Sequence, residues 1–350
     1  MNPGDVGILV VAFGLIIGGA ELFTNAVEWF GHKMGLGEGA VGSVLAAVGT
    51  ALPETTIPIV AILFTGGSSS EVGVGAILGA PFMLSTLAVG VTGLVVLAVR
   101  RRRATGSTLV VDRSVVRTDL RAFTIAYGLA IGSAFLPLDP TWPKLVVAII
   151  LVGLYAWYVR SHLTADSTLD AEGLNPLRLR RLDRADAGQV DEPPRLRVVN
   201  VQLLVGVAAI VFGAVAFVDA VSDLARGAGL DEVLLALIVA PIATELPEAA
   251  NAVLWVRRGR DTLAIGNITG AMVFQASIAT LAALVFAPHA WAFHAGTQTA
   301  FASALIAFAS TAAVFGPFIL GRAMRASGLL LGAGFYVAYL AAVAVAISSG

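Results

Sequence analysis

Apolar stretches recur along the chain near residues 6–28, 38–64, 71–99, 121–138, 143–160, 198–225, 231–256, 262–287, 297–320 and 327–348. Crossing about 30 Å of hydrocarbon takes about 20 apolar residues as a helix, and each stretch approaches or exceeds that length. The pattern predicts an all-α membrane protein with ten transmembrane helices. Composition agrees: the 350 residues are 57% hydrophobic and 13% charged, whereas a soluble domain carries about a quarter charged residues.

The polar breaks test the count, because cytoplasmic loops collect Lys and Arg. With alternate loops assigned to opposite sides, all of the 22 basic residues except Lys144 and Arg226 fall on one side, Arg100 to Arg103, Arg257, Arg258, Arg260, Arg322 and Arg325 among them. This places both termini outside the cytoplasm. Basic runs of this kind lie next to anionic lipid head groups and do not point to a nucleic-acid partner. No Cys is present, which excludes disulfides, thiolate metal sites and Cys nucleophiles. No basic segment precedes the first apolar run, so that run is expected to stay as a helix.

One long polar segment, 161–197, divides the chain into a five-helix unit at 1–160 and another at 198–350. It reads as a solvated cytoplasmic linker; its Asp183, Asp186, Asp191 and Glu192 offer at most weak cation binding. The halves carry an internal repeat. "GLGEGAVGSVLAAVGTALPE" (35–54) aligns without a gap on "GLDEVLLALIVAPIATELPE" (229–248), and "GAILGAPFML" (75–84) pairs with "GNITGAMVFQ" (266–275) after a three-residue slip. The repeated motif regions cover about 38–98 and 231–287. Because each unit has an odd number of helices, the second enters the membrane from the opposite side, giving two inverted five-helix repeats. Inverted repeats are typical of secondary transporters, with substrate held where they meet.

Glu54 and Glu248 fall inside apolar spans, where an ionised carboxylate costs about 2.5–3.5 kcal/mol on insertion scales. No Lys or Arg sits deep in any span, which leaves a mobile cation or a proton as the counter-charge. Thr50 and Thr244 each precede their Glu by four residues and share its helix face; Glu245 lies three before Glu248. Pro53 and Pro247 remove an amide donor and should break their helices near the membrane centre. An all-oxygen set of this kind suits Ca²⁺. Gly75 and Gly79, with Gly266 and Gly270, have the small-residue spacing that brings helices close, and would press the third and eighth spans against the site. Glu21, Asn25 and Asp219 fit either an access path or helix-end polar contacts. Nothing suggests an enzyme: no H-E-x-x-H occurs, and His32, His162, His289 and His294 lie at helix ends or in loops. No cofactor is expected beyond the transported cations.

These segments resemble the alpha repeats of the sodium/calcium exchanger family, in the calcium/cation antiporter superfamily. That family carries G-T-S-L-P-E on the second and seventh helices and G-N-x-x-G-S-N-x-x-N/D on the third and eighth. The resemblance implies a prokaryotic ten-helix antiporter in the plasma membrane, with Glu54 and Glu248 as central cation carboxylates. It implies oxygens from Thr50 and Thr244 and peripheral carbonyls at Ala47 and Pro241. Asn267 keeps one motif asparagine, and Gln275 stands where the family closes the motif with Asn or Asp. Ala51, Ala80, Ala271 and Leu84 replace oxygen-bearing residues, while Glu245 adds a carboxylate where a proton can bind. The expected activity is export of Ca²⁺ against H⁺ or Na⁺ by alternating access. Monovalent cation/proton antiport, or ion binding without transport, are the alternatives.

Overall fold

The computed structural model describes residues 3–60, 68–164, 174–180, 194–227, 245–294 and 297–349. Helices α1 (Pro3–Lys33), α2 (Ala47–Thr50), α3 (Leu52–Val60), α4 (Ser68–Met83), α5 (Val89–Val99), α6 (Arg113–Ser133) and α7 (Trp142–Leu163) make up the first half. The second holds α8 (Leu196–Gly227), α9 (Leu246–Arg257), α10 (Asp261–Phe274), α11 (Thr280–Phe286), α12 (Gln298–Ile319) and α13 (Ala326–Ser349). A π-helical stretch, Ala40–Ala46, leads into α2; two more, Leu84–Ala88 and Gln275–Ala279, join α4 to α5 and α10 to α11. Each of the ten predicted spans coincides with helix where it is described, the second only to Val60 and the seventh only from Leu246. Among the described residues, six helices are long and apolar enough to cross a membrane, and their outward faces carry side chains such as Ile149 and Phe212, each 71% exposed. This is an integral membrane protein.

The two later π stretches begin at Leu84 and Gln275, residues separated by the same offset that pairs Gly75 with Gly266. A π bulge adds one residue to a helical turn and is frequent at functional sites. Its recurrence at one register of the sequence repeat ties the local backbone to the repeat.

Small residues set the close crossings. A Cβ on Gly206 would stand 2.8 Å from the Phe23 amide nitrogen, and one on Gly19 would stand 2.9 Å from Ala209 Cβ, so α1 and α8 touch backbone to backbone. Every residue of α10 is buried, and a Cβ on Gly270 would overlap the Ser43 carbonyl while one on Gly266 would reach Ser43 Oγ at 2.7 Å. The expected close contact through Gly266 and Gly270 is therefore present, and it is made with the π stretch before α2. Gly75 and Gly79 meet no described atom within 4 Å; the repeat counterpart of Ser43 falls in 228–244, outside the described residues.

One end of the bundle gathers the basic loops. Strands β1 (Thr108–Leu109) and β2 (Met324–Arg325) pair antiparallel there, Arg103 bridges to buried Asp261 at 2.6 Å, and Arg258 bridges to Glu21 at 2.6 Å. At another loop cluster Lys144 is fully buried and donates to the carbonyls of Pro288 and Trp291 at 2.5 and 2.7 Å. Two expectations change. The fourth span, expected at 121–138, starts at Arg113 and ends at Ser133. Its first turns are amphipathic, with Val115, Val116 and Asp119 buried and Arg113, Arg117 and Arg121 on another face, so a hydropathy window starts too late; Asp112 caps the true start by accepting from Ser114 N at 2.7 Å. The linker also departs from the solvated reading where it is described. Leu177 is buried with Val198 and Val199, and Trp29 Nε1 and Asn25 Nδ2 both donate to the Asn175 carbonyl, at 2.8 and 3.1 Å. Asp183, Asp186, Asp191 and Glu192 lie outside the described residues.

Candidate cation site

The chain bends at Ala51, where α2 ends and α3 begins (φ −75°, ψ −1°). The Leu-Pro-Glu motif follows at once as the first turn of α3, and its copy forms the first turn of α9, with Pro near the helix start and Glu245 at the cap position. Proline is well suited there because the first helical amides have no intrahelical acceptor to lose. The prolines thus mark helix starts, and the observed bend lies two residues before Pro53. Each motif delivers its glutamate to a first turn, the end of a helix whose dipole favours negative charge.

Glu54, Glu245 and Glu248 converge. Each offers a carboxylate oxygen, and these oxygens lie within 4.8 Å of one another. All three side chains are buried, Glu248 completely. Among the described residues, neither oxygen of Glu248 has a hydrogen-bond partner, and neither has Oε2 of Glu245. Carboxylates at 4.8 Å repel by roughly 3.5 kcal/mol per pair at an effective dielectric constant near 20. Around one Ca²⁺, oxygens at up to about 2.6 Å stand up to about 5.2 Å apart. The cluster therefore matches the span of a single coordination shell.

Neutral groups flank it. Gln275 Nε2 donates to Glu54 Oε2, which joins the start of a π stretch to the bend in the first half. Thr50 Oγ1 lies 3.3 Å from Asn267 Oδ1 and donates to the Ala46 carbonyl at 3.1 Å. The Ala47 carbonyl accepts from the Ala51 amide at 3.0 Å. Thr244 and Pro241 lie outside the described residues. Glu21 serves helix-end contacts, bridging to Arg178 and Arg258 at 2.7 and 2.6 Å, and Asn25 accepts from Arg178 N at 3.1 Å; the side chain of Asp219 is outside the described set.

Two polar features escaped sequence reasoning. Asn251, three residues after Glu248 and on its face of α9, is fully buried with both amide atoms unpartnered among the described residues; the i+3 spacing was its available signal. The other is Asp119 on α6, completely buried, which accepts from Ser43 Oγ at 2.8 Å, Thr269 Oγ1 at 2.5 Å and Tyr158 OH at 3.1 Å. His162 Nε2 lies 2.8 Å from it. Those partners come from three separate segments, the π stretch before α2, α7 and α10, and no local pattern around Asp119 announces them.

Buried carboxylates carried by helix starts inside a membrane bundle are placed where a secondary transporter would hold a cation. The sodium/calcium exchanger protein family matches residues 5–162 and 199–347, and the chain belongs to that family. It is 24% identical over 271 residues to the inner membrane protein YrbG of Escherichia coli (strain K12), covering 77% of this chain and 75% of that one. It is 22% identical over 274 residues to CaxA, a proposed antiporter of Alkalimonas amylolytica, covering 76% of each. The fold is similar to that of the sodium-calcium exchanger NCX_Mj soaked with 2.5 mM Na⁺ and 0.1 mM Sr²⁺, with a TM-score of 0.69, 18% identity and coverage of 97% and 99% of the two chains.

Proposed function

We propose that the protein is a cation antiporter that exports Ca²⁺ from the cytoplasm against inward H⁺ or Na⁺ by alternating access. The observation that carries this reading is the convergence of Glu54, Glu245 and Glu248 within 4.8 Å. Three like charges that close need offsetting; a divalent ion offsets two of them and protons can take its place on the same oxygens, and that competition couples the two fluxes. In this reading Glu54, Glu245 and Glu248 bind the ion, Thr50, Thr244, Asn267 and Gln275 add neutral oxygens, and the carbonyls of Ala47 and Pro241 lie at the periphery. The two five-helix units are inverted repeats that meet at this site, both termini face outward, and 161–197 is cytoplasmic in a prokaryotic plasma membrane.

The side chains at 51, 80, 84 and 271 are Ala, Ala, Leu and Ala. They supply no oxygen for separate Na⁺ sites, whereas Glu245 supplies a proton acceptor, so H⁺ is the favoured coupling ion. The test is ⁴⁵Ca²⁺ uptake into everted vesicles under an imposed pH gradient, and separately under a Na⁺ gradient. Uptake driven by the pH gradient and abolished by Glu248→Gln is expected. Uptake that needs Na⁺ and ignores pH overturns the coupling assignment; pH-driven Na⁺ or K⁺ flux with no Ca²⁺ flux replaces the reading with monovalent antiport. Binding without flux leaves an ion-binding homologue.

A further inference from the structure

The amphipathic start of α6 leaves two guanidiniums with nothing to bind. Arg117 and Arg121, one helical turn apart on an exposed face, make no ion pair or side-chain hydrogen bond among the described residues. Between them and the end of α12 lies a cleft of about 340 Å³ lined by Arg117, Leu120, Arg121, Thr124, Ile125 and Ile319. Arg113, one turn earlier, is already engaged, stacked 4.9 Å over the Phe318 ring and donating to the Arg322 carbonyl. The cleft therefore has two free cationic groups at its rim, an apolar floor and no acidic side chain.

We propose that this cleft binds one anionic phospholipid, with its phosphate between Arg117 and Arg121 and the upper part of an acyl chain on Leu120, Ile125 and Ile319. Guanidinium forks match phosphate oxygens in geometry and charge. The apolar floor is where a free phosphate ion gains nothing and a lipid chain gains contact. A zwitterionic lipid brings an ammonium group as well, and the cleft offers it no carboxylate. The position fits the same occupant, because α6 begins at the end of the bundle that gathers the basic loops, and basic pockets on the cytoplasmic side of membrane proteins select anionic head groups. Elsewhere at that end Arg100, Arg101 and Arg102 form an exposed turn and do not line this cleft, which makes them an internal control for bulk charge.

Titration of the full-length protein in neutral detergent with phosphatidylglycerol or phosphatidylcholine, read by native mass spectrometry, tests the site. One phosphatidylglycerol is expected to bind more tightly than phosphatidylcholine. The double variant Arg117→Gln/Arg121→Gln should weaken it about 30-fold, at about fivefold per guanidinium. Ile319→Trp, which fills the cleft without changing charge, should weaken it comparably, and Arg101→Gln/Arg102→Gln should leave it unchanged; melting temperatures confirm that each variant is folded. An equal loss in the Arg101/Arg102 variant, no loss in Ile319→Trp, or full displacement of the lipid by millimolar inorganic phosphate would each overturn the assignment.

Discussion

Two clusters of buried carboxylate sit in this bundle, and they are satisfied in opposite ways. Asp119 is surrounded by the hydroxyls of Ser43, Thr269 and Tyr158 and the imidazole of His162, at 2.5 to 3.1 Å. Glu248 is just as buried and has no hydrogen-bond partner on either oxygen among the described residues, with two further carboxylates close by. Hydrogen bonds to a charged group contribute about 1.5–3 kcal/mol each, and a buried polar group left without one costs a comparable amount. The first cluster is complete within the protein and stabilises it. The second lacks such partners among the described residues; on the proposed reading a cation or protons complete it, so it costs stability when empty and gains it on binding.

Substitutions should separate the two most sharply in sign. Glu54→Gln and Glu248→Gln each remove a charge at constant volume, and ⁴⁵Ca²⁺ flux should fall at least about 100-fold, as expected for losing one partner of a buried charge interaction. The same variants should melt at higher temperature in chelator, because one like-charge repulsion is gone. Substantial flux in either variant would break the comparison. Asp119→Ala should do the reverse. It takes this partner from Ser43 and His162, while Thr269 and Tyr158 keep the carbonyls of Ile265 and Ser43, and should cost about 3 kcal/mol of stability, seen as a lower melting temperature, with Asp119→Asn milder and retaining flux. A pure loss of flux at unchanged melting temperature would move Asp119 into the transport machinery.

Smaller effects sharpen the contrast. Ca²⁺ affinity should fall as pH falls, since protons compete for the same oxygens, and Glu245→Ser should flatten that dependence while leaving a few tenths of the flux, measured in vesicles clamped at each pH. Thr269→Ala removes one of four partners of Asp119 and should cost about 1 kcal/mol, the usual net value of one hydrogen bond. A thermal shift larger than that of Asp119→Ala would show that the cluster is not organised around the carboxylate.

The glutamate site was legible because its determinants are local and duplicated. Thr50 to Glu54 and Thr244 to Glu248 repeat the same spacing in apolar surroundings, and Glu245 follows from helical geometry alone. Asp119 was not legible: Ser43 and Thr269 are 76 and 150 residues away, and an Asp next to a basic loop looks like a loop residue. The start of α6 was hidden for a related reason, since a helix half in the head groups averages out in a hydropathy window. The break expected at Pro53 is present, with one helix ending at Thr50 and the next starting at Leu52; at Pro247 the helix begins at Leu246, and residues 228–244 before it lie outside the described set. The pairing of Gln275 with Glu54, 221 residues apart, required the two halves to be folded together.

The contact of Gly266 and Gly270 with Ser43 has a mechanical meaning beyond packing. Two backbones in direct contact have no side chains between them to rotate or compress, so the joint has almost no slack. Asp119 bolts the same joint from the side through Ser43 and Thr269. A displacement of α10 is then handed on undiminished to the stretch running from Ala40 to Thr50, and Asn267 and Thr50 travel together. Thr50 and Asn267, the neutral groups beside the glutamate cluster, ride on a stiff block, and compliance has to be found at its edges.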